Sequence, residues 1–292
     1  TQGDTLFPYT TLFRSKISTF FRKRFTRIVY PFIAWCVLYA GYYVLSRGDS
    51  FSQMALNILH IPVNFGCEIG HLWYIYMLIG LYLVTPIISP WLQQASKREL
   101  EGYLGLWIIT TFLPYIHLVY PEVLGEAFWN DTPLLYYFTG FIGYFILGYY
   151  LKRFGYPSAA LSWIILIGGF ALSAGIFCSR IDTVPTVPEL ELSWGFCTVN
   201  VFLMTLGLFS LIGRLSLKGK NAACKLLSDI SIKSYGMYLA HILFLNFYYG
   251  LFKSISDAAY VTIPLIAVCT FITVYIFVYL LSYLPKSKYI IG

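Results

Sequence analysis

The run from Gly70 to Pro90, GHLWYIYMLIGLYLVTPIISP, is long and apolar enough to cross a bilayer, and it constrains this chain more than any other stretch. Crossing the hydrocarbon takes about 20 apolar residues in a helix. No water is available there, so every backbone N–H and C=O must be paired internally, which leaves only helices or closed barrels. Continuous apolar runs without period-two alternation argue against the barrel. Seven further windows share this character, at roughly 28–46, 102–120, 133–151, 159–178, 194–213, 234–252 and 260–284. The expected fold class is all-α: a polytopic transmembrane helix bundle with eight spans, joined by short loops into one integral domain.

Composition agrees with a lipid-embedded chain. Only 11% of residues are charged and 58% are hydrophobic, whereas a soluble domain carries about 25% charged residues. Aromatic residues make up 20% of the chain, as suits helix ends sitting in two interfacial belts. The six cysteines form no CxxC pair and no Cys/His cluster, so no metal site is expected. Cys67, Cys178 and Cys197 fall on one side of the expected topology, as small packing residues or as a disulfide.

The net charge of +7 reflects topology rather than nucleic-acid binding. With the segment before the first span on the cytoplasmic side, only Arg47, Arg180 and Lys253 of the 20 basic residues fall outside. Acidic residues go the other way, with nine of 13 outside. This is the positive-inside pattern along the whole chain, and it places both termini in the cytoplasm. No Asp, Glu, Lys or Arg falls inside any of the eight windows. Proton- and ion-coupled transporters need such groups as relays, so that class is disfavoured.

Three stretches could carry chemistry. Arg24 and Arg27 lie three residues apart, on one face of a helix entering the membrane. The pair could grip phosphates bidentately, or anchor the span by reaching lipid head groups. Next, His71, Trp73 and Tyr74 open the run described above, with Glu68 one helical turn earlier. A neutral imidazole there could act as a base or hold a polar substrate, or it could simply face water beside an aromatic belt. Third, Ser234, Tyr238 and His241 follow i, i+4, i+7 spacing and line one helix face. Such a seam either bonds neighbouring helices or lines a cavity, and the sequence favours neither. By window position His71 sits at the outer end of its span, while His241 lies two turns in from the cytoplasmic end, roughly 10 Å deep. Gly168, Ala171 and Gly175, like Gly140 and Gly143, read as small-residue packing stripes. There is no Gly-rich phosphate loop, no nucleophile elbow and no HExxH.

In this order, the three stretches resemble the integral-membrane acyltransferase family 3, bacterial enzymes that O-acylate exported carbohydrates. Arg24-Phe-Thr-Arg27-Ile-Val-Tyr-Pro31 matches the family's basic RxxRIxP-like approach to a span. His71 to Tyr74 matches its HLWY/F start, Ser234 to His241 its late S-Y-x-x-Y-L-x-H helix, and LPKSKYIIG its C-terminus. The resemblance covers roughly residues 16–292. It implies a multi-pass protein of the bacterial cytoplasmic (inner) membrane that moves an acyl group, usually acetyl, from acyl-CoA to a sugar hydroxyl. Acyl-CoA would be a co-substrate, with no cofactor bound permanently. Implied partners are the lipid bilayer, the carbohydrate acceptor and acyl-CoA, with no nucleic acid. Arg24 and Arg27 would hold the CoA phosphates, His241 and Tyr238 would be the catalytic pair, and His71, Trp73 and Glu68 would face the acceptor.

The departure from the family is at the front. Members have ten spans, and their first carries an Arg and, about ten residues later, a His taken as the catalytic pair. Nothing equivalent precedes Lys16 here. The opening TQGDTLFPYTTLFRS has no apolar span and no signal-peptide layout. Residues 1–15 are therefore expected to be foreign sequence joined to a truncated gene, leaving 16–292 as an acyltransferase domain without its first two spans, catalytically incomplete. An in-frame Met directly before Thr1, with no further span, would rule this out. A polysaccharide or lipid-linked sugar exporter, or a structural membrane subunit with its histidines as helix glue, are the rival readings.

Overall fold

The computed structural model describes residues 17–63, 70–125, 134–215, 222–255 and 258–292. The opening segment 1–15, Cys67 and Glu68 lie outside the described residues. The described residues form helices and no strand: α1 (Ile17–Arg47), α2 (Phe51–His60), α3 (Trp73–Gln94), α4 (Lys97–Thr110), α5 (Phe141–Phe154), α6 (Ala159–Arg180), α7 (Val199–Gly213), α8 (Ala222–Lys253) and α9 (Ala259–Leu281), with one-turn helices between some of them. The all-α membrane bundle expected from the apolar runs is therefore what forms.

Helix lengths qualify the eight windows. Among the described residues four helices are long and apolar enough to cross a membrane: Ser18–Arg47, Gly70–Gln94, Ala159–Arg180 and Ala259–Leu281. A fifth is the pair Val187–Trp194 and Val199–Gly213, bent by 44°. The 133–151 window overlaps α5, and the 102–120 window overlaps α4; each helix has 14 residues. At 1.5 Å per residue, each spans about 21 Å, short of a hydrocarbon core of about 30 Å. The 234–252 window is the apolar end of the 32-residue α8. That helix begins twelve residues earlier because Ala222, Ala223, Lys225, Leu226 and Leu227 are strong helix formers, and a hydropathy window passes over the charged residues among them.

The chain divides into two compact units, one built on Thr85–Ser216 and the other on Arg14–Val84 with Leu217–Gly292. In the first, α4 starts at a capping box, with the Ser96 hydroxyl accepting from the Glu99 amide and the Glu99 carboxylate accepting from the Ser96 amide. Leu100, Leu104 and Trp107 then bury one face at i, i+4, i+7 against Ile146, Leu147 and Leu151 of α5. Gly143 leaves the room that the Trp107 indole fills, and the indole N–H donates to the Gly140 carbonyl at 3.0 Å. Helices α6 and α7 touch backbone to backbone. A Cβ on Gly207 would stand 2.7 Å from the Ser162 carbonyl oxygen, and one on Gly169 would stand 2.8 Å from the Asn200 carbonyl oxygen. Gly168 and Gly175, expected to pack, face open space instead. The close-packing row is one residue away from the one expected.

In the second unit, α1 buries Ile28, Phe32, Trp35, Cys36, Tyr39 and Tyr43 as one helical stripe. Against it pack Leu72 and Ile75, the Met237, Leu239 and Ala240 face of α8, and Val274 and Val278 of α9. The LPKSKYIIG ending folds back onto α1: the Trp35 indole donates to the Ile290 carbonyl at 2.9 Å, and Ile291 is buried against Gly236.

Candidate active site

The site is built in the second unit from three elements. Its floor is the buried stripe of α1, in which Trp35, Tyr39 and Tyr43 recur every four residues and stack in sequence. The Tyr39 hydroxyl donates to the Leu239 carbonyl of α8 at 2.9 Å, fixing α1 to α8 at that level. Gly70–Leu72 forms a 3₁₀ turn ahead of α3, anchored by Leu72, which is 1% exposed. This turn carries His71 over the edge of Tyr39, with ring centroids 5.3 Å apart. On α8, Gly236, Met237, Leu239 and Ala240 face the core, which turns Tyr238 and His241 toward His71. The Tyr238 hydroxyl donates to the His71 carbonyl.

The two imidazoles meet edge to face, with centroids 5.1 Å apart. A main-chain oxygen fixes the ring proton of His241. His241 Nδ1 lies 2.6 Å from the Tyr238 carbonyl, and a carbonyl can only accept, so Nδ1 carries the proton. The Leu239 carbonyl lies beside the His71 ring. The buried His71 Nε2 has no partner among the described residues. An imidazole nitrogen with no competing hydrogen bond is what a general base needs.

The sequence put His71 and His241 at opposite ends of their spans. The structure puts them side by side. His241 is the twentieth residue of α8, about 29 Å along it, rather than two turns from a helix start. The polar first half of α8 accounts for the difference. Ser234 does not join the seam, since it is exposed and its hydroxyl donates back to the Ser231 carbonyl. Trp73 is half-buried and packs on Tyr74, with centroids 6.2 Å apart. Glu68 lies outside the described residues.

Arg24 is half-buried and Arg27 exposed on the first half of α1. Among the described residues neither guanidinium has an acidic partner. Arg24 lies over the Tyr82 ring, 5.9 Å from its centroid, and both arginines are within electrostatic reach of the Tyr82 hydroxyl. Tyr82 is two turns along α3 from Tyr74, about 12 Å, and Tyr74 stacks on Tyr238 with centroids 5.5 Å apart. Tyr235 lies within reach of Tyr74, Tyr82 and Tyr238, and its hydroxyl donates to the Ile28 carbonyl at 2.8 Å. Cationic groups at one end and imidazoles at the other are therefore joined by a row of tyrosines. Sequence reasoning missed Tyr39, Tyr82 and Tyr235 as parts of this arrangement. The i, i+4 spacing of Trp35, Tyr39 and Tyr43 was the available signal, and it reads as ordinary core until the third helix is in place.

Among the described residues no cluster of three His, Cys, Asp or Glu could hold a metal ion. The arrangement sets two imidazoles at one end of the tyrosine row and two guanidiniums without acidic partners among the described residues at the other. No curated protein and no solved structure matches the chain. The family model described as an acyltransferase domain matches residues 6–283, nearly the whole chain. The protein therefore belongs to acyltransferase family 3, whose members are membrane proteins.

Proposed function

We propose that this acyltransferase moves an acyl group, acetyl in the simplest case, from acyl-CoA to a hydroxyl of a cell-surface or exported carbohydrate. It would work in the bacterial inner membrane, with both termini cytoplasmic and eight membrane segments, the shorter ones completed by neighbouring helices. The observation that carries this reading is the bare, buried Nε2 of His71 beside His241. Arg24 and Arg27 bind the CoA phosphates, and the acyl-pantetheine arm runs along Tyr82 and Tyr74 toward the imidazoles. One imidazole Nε2 takes the proton of the acceptor hydroxyl as its oxygen attacks the thioester carbonyl. When the C–S bond breaks, the same imidazolium returns the proton to the leaving CoA thiolate. Tyr238 holds the His71 turn through its hydroxyl and orients His241 through its carbonyl.

Labelled acetyl-CoA given to membranes from cells expressing the full gene should place label in surface glycan. Losing a general base costs about 10²–10⁴-fold, so His71→Gln or His241→Gln should lower transfer by that order with expression intact. No transfer by the well-expressed native protein would sink the reading and favour the exporter. Full transfer by both variants would remove the imidazoles from the mechanism.

A further inference from the structure

We infer that the outer flank of the second unit carries a lipid site: an apolar groove between α1 and α2 that takes a hydrocarbon chain of an anionic glycerophospholipid, with Arg47 holding its phosphate. The site stands independently of the acyl-transfer assignment. The groove is lined by Leu38, Gly41, Tyr42 and Leu45 of α1 and by Phe51 and Met54 of α2, and encloses about 500 Å³. That lies within the range of about 300–1,000 Å³ typical of small-molecule sites. Its wall is open to the surroundings, with Leu45 88% exposed and Phe51 76%.

Helix α2 shows what the surroundings are. It leaves Phe51, Leu56 and Leu59 exposed, while polar Asn57 is buried and accepts from Gln53 at 2.7 Å. Exposed apolar residues of this size are unfavourable against water and favourable against acyl chains, as in helices that lie at a membrane interface. A protein partner would find almost no polar surface in the groove to set a register; a hydrocarbon chain needs none.

Arg47 supplies the headgroup. It ends α1 with its guanidinium 3.7 Å above the Tyr43 ring, which in turn stacks on Tyr42 of the groove wall. Stacking fixes the guanidinium plane and leaves its N–H edge for a phosphate. Among the described residues Arg47 has no carboxylate partner. The main-chain N–H of Asp49 donates to the Tyr43 carbonyl at 3.4 Å, closing the end of α1 beside Arg47.

The test is native mass spectrometry of the full chain in detergent, offered phosphatidylglycerol or phosphatidylcholine with identical chains. The native protein should retain phosphatidylglycerol in preference to phosphatidylcholine. Gly41→Leu fills the groove, where a Cβ meets nothing within 4 Å, and should lower retention about tenfold or more. Arg47→Gln should abolish the headgroup preference. Leu45→Gln lies on the exposed wall and cannot unfold the core; it should weaken retention with an unchanged elution profile, which covers a failure of Gly41→Leu to fold. Equal retention of both lipids by the native protein, undiminished retention in Gly41→Leu and Leu45→Gln, or a dimer mass with no lipid would overturn the proposal.

Discussion

A single nitrogen illustrates how much the third dimension decides at the residue scale. His71 reads from sequence as an interfacial residue; its Nε2 becomes a candidate base only because the fold buries it, unpartnered, beside His241. Residues 71 and 241 are far apart in the chain, so no local pattern could show it. Asp229 is another such case. The Lys233 ammonium bonded to it, and then the Tyr275 hydroxyl at 2.7 Å, hold its carboxyl below the ordinary value of 3.8. It precedes the apolar stretch of α8 and tethers that helix to α9. Because its folded pKa is depressed, this contribution is present above the unfolded value and lost as pH falls through the folded one. Thermal unfolding in detergent should show Asp229→Asn less stable than the native protein near neutral pH, with the gap closing below about pH 4. A pH-independent gap would show that the ion pair contributes nothing.

At the scale of elements, the apolar runs predict helices well and their ends poorly. Hydropathy reports which stretch prefers lipid, whereas a helix continues as long as its backbone bonds and caps allow. Hence α8 overruns its window and α5 falls short of a span. Small-residue stripes behave similarly. Sequence singled out Gly168 and Gly175, but the rotation of α6 against α7 selects Gly169 and Gly207. Gly207→Ala would force a methyl to 2.7 Å from the Ser162 carbonyl and the Leu166 amide of the facing helix, and should destabilise by about 1–3 kcal/mol as overpacking. Gly168→Ala, with open space around it, should be neutral or slightly stabilising through helix propensity. Melting curves of the two variants side by side decide the matter; equal behaviour would refute the packing assignment.

For the whole molecule, the proposed donor site should couple ligand to folding. A ligand that binds only the folded protein stabilises it by about 2.7 kcal/mol at a hundred times its Kd. CoA should therefore raise the melting temperature of the native protein, and lose that effect in the Arg24→Gln, Arg27→Gln double variant. His241→Gln should keep the protection while losing transfer. Protection that survives loss of both arginines would move the CoA site elsewhere.

Sequence by itself determined that the chain is a helical membrane protein and which motifs carry the family resemblance, because lipid solvation and positive-inside bias act on each segment locally. It also singled out His71, Tyr238, His241, Arg24 and Arg27 as worth weighing. Only the tertiary structure decided that the two imidazoles share one place, that the Tyr39 hydroxyl ties α1 to α8 beside them, and that Ser234 is left out. The physical reason is that hydropathy is a property of a segment. The depth and facing of a side chain depend instead on how one helix is rotated and shifted against the next, and the packing of Leu72, Gly236 and Leu239 in a shared core fixes that.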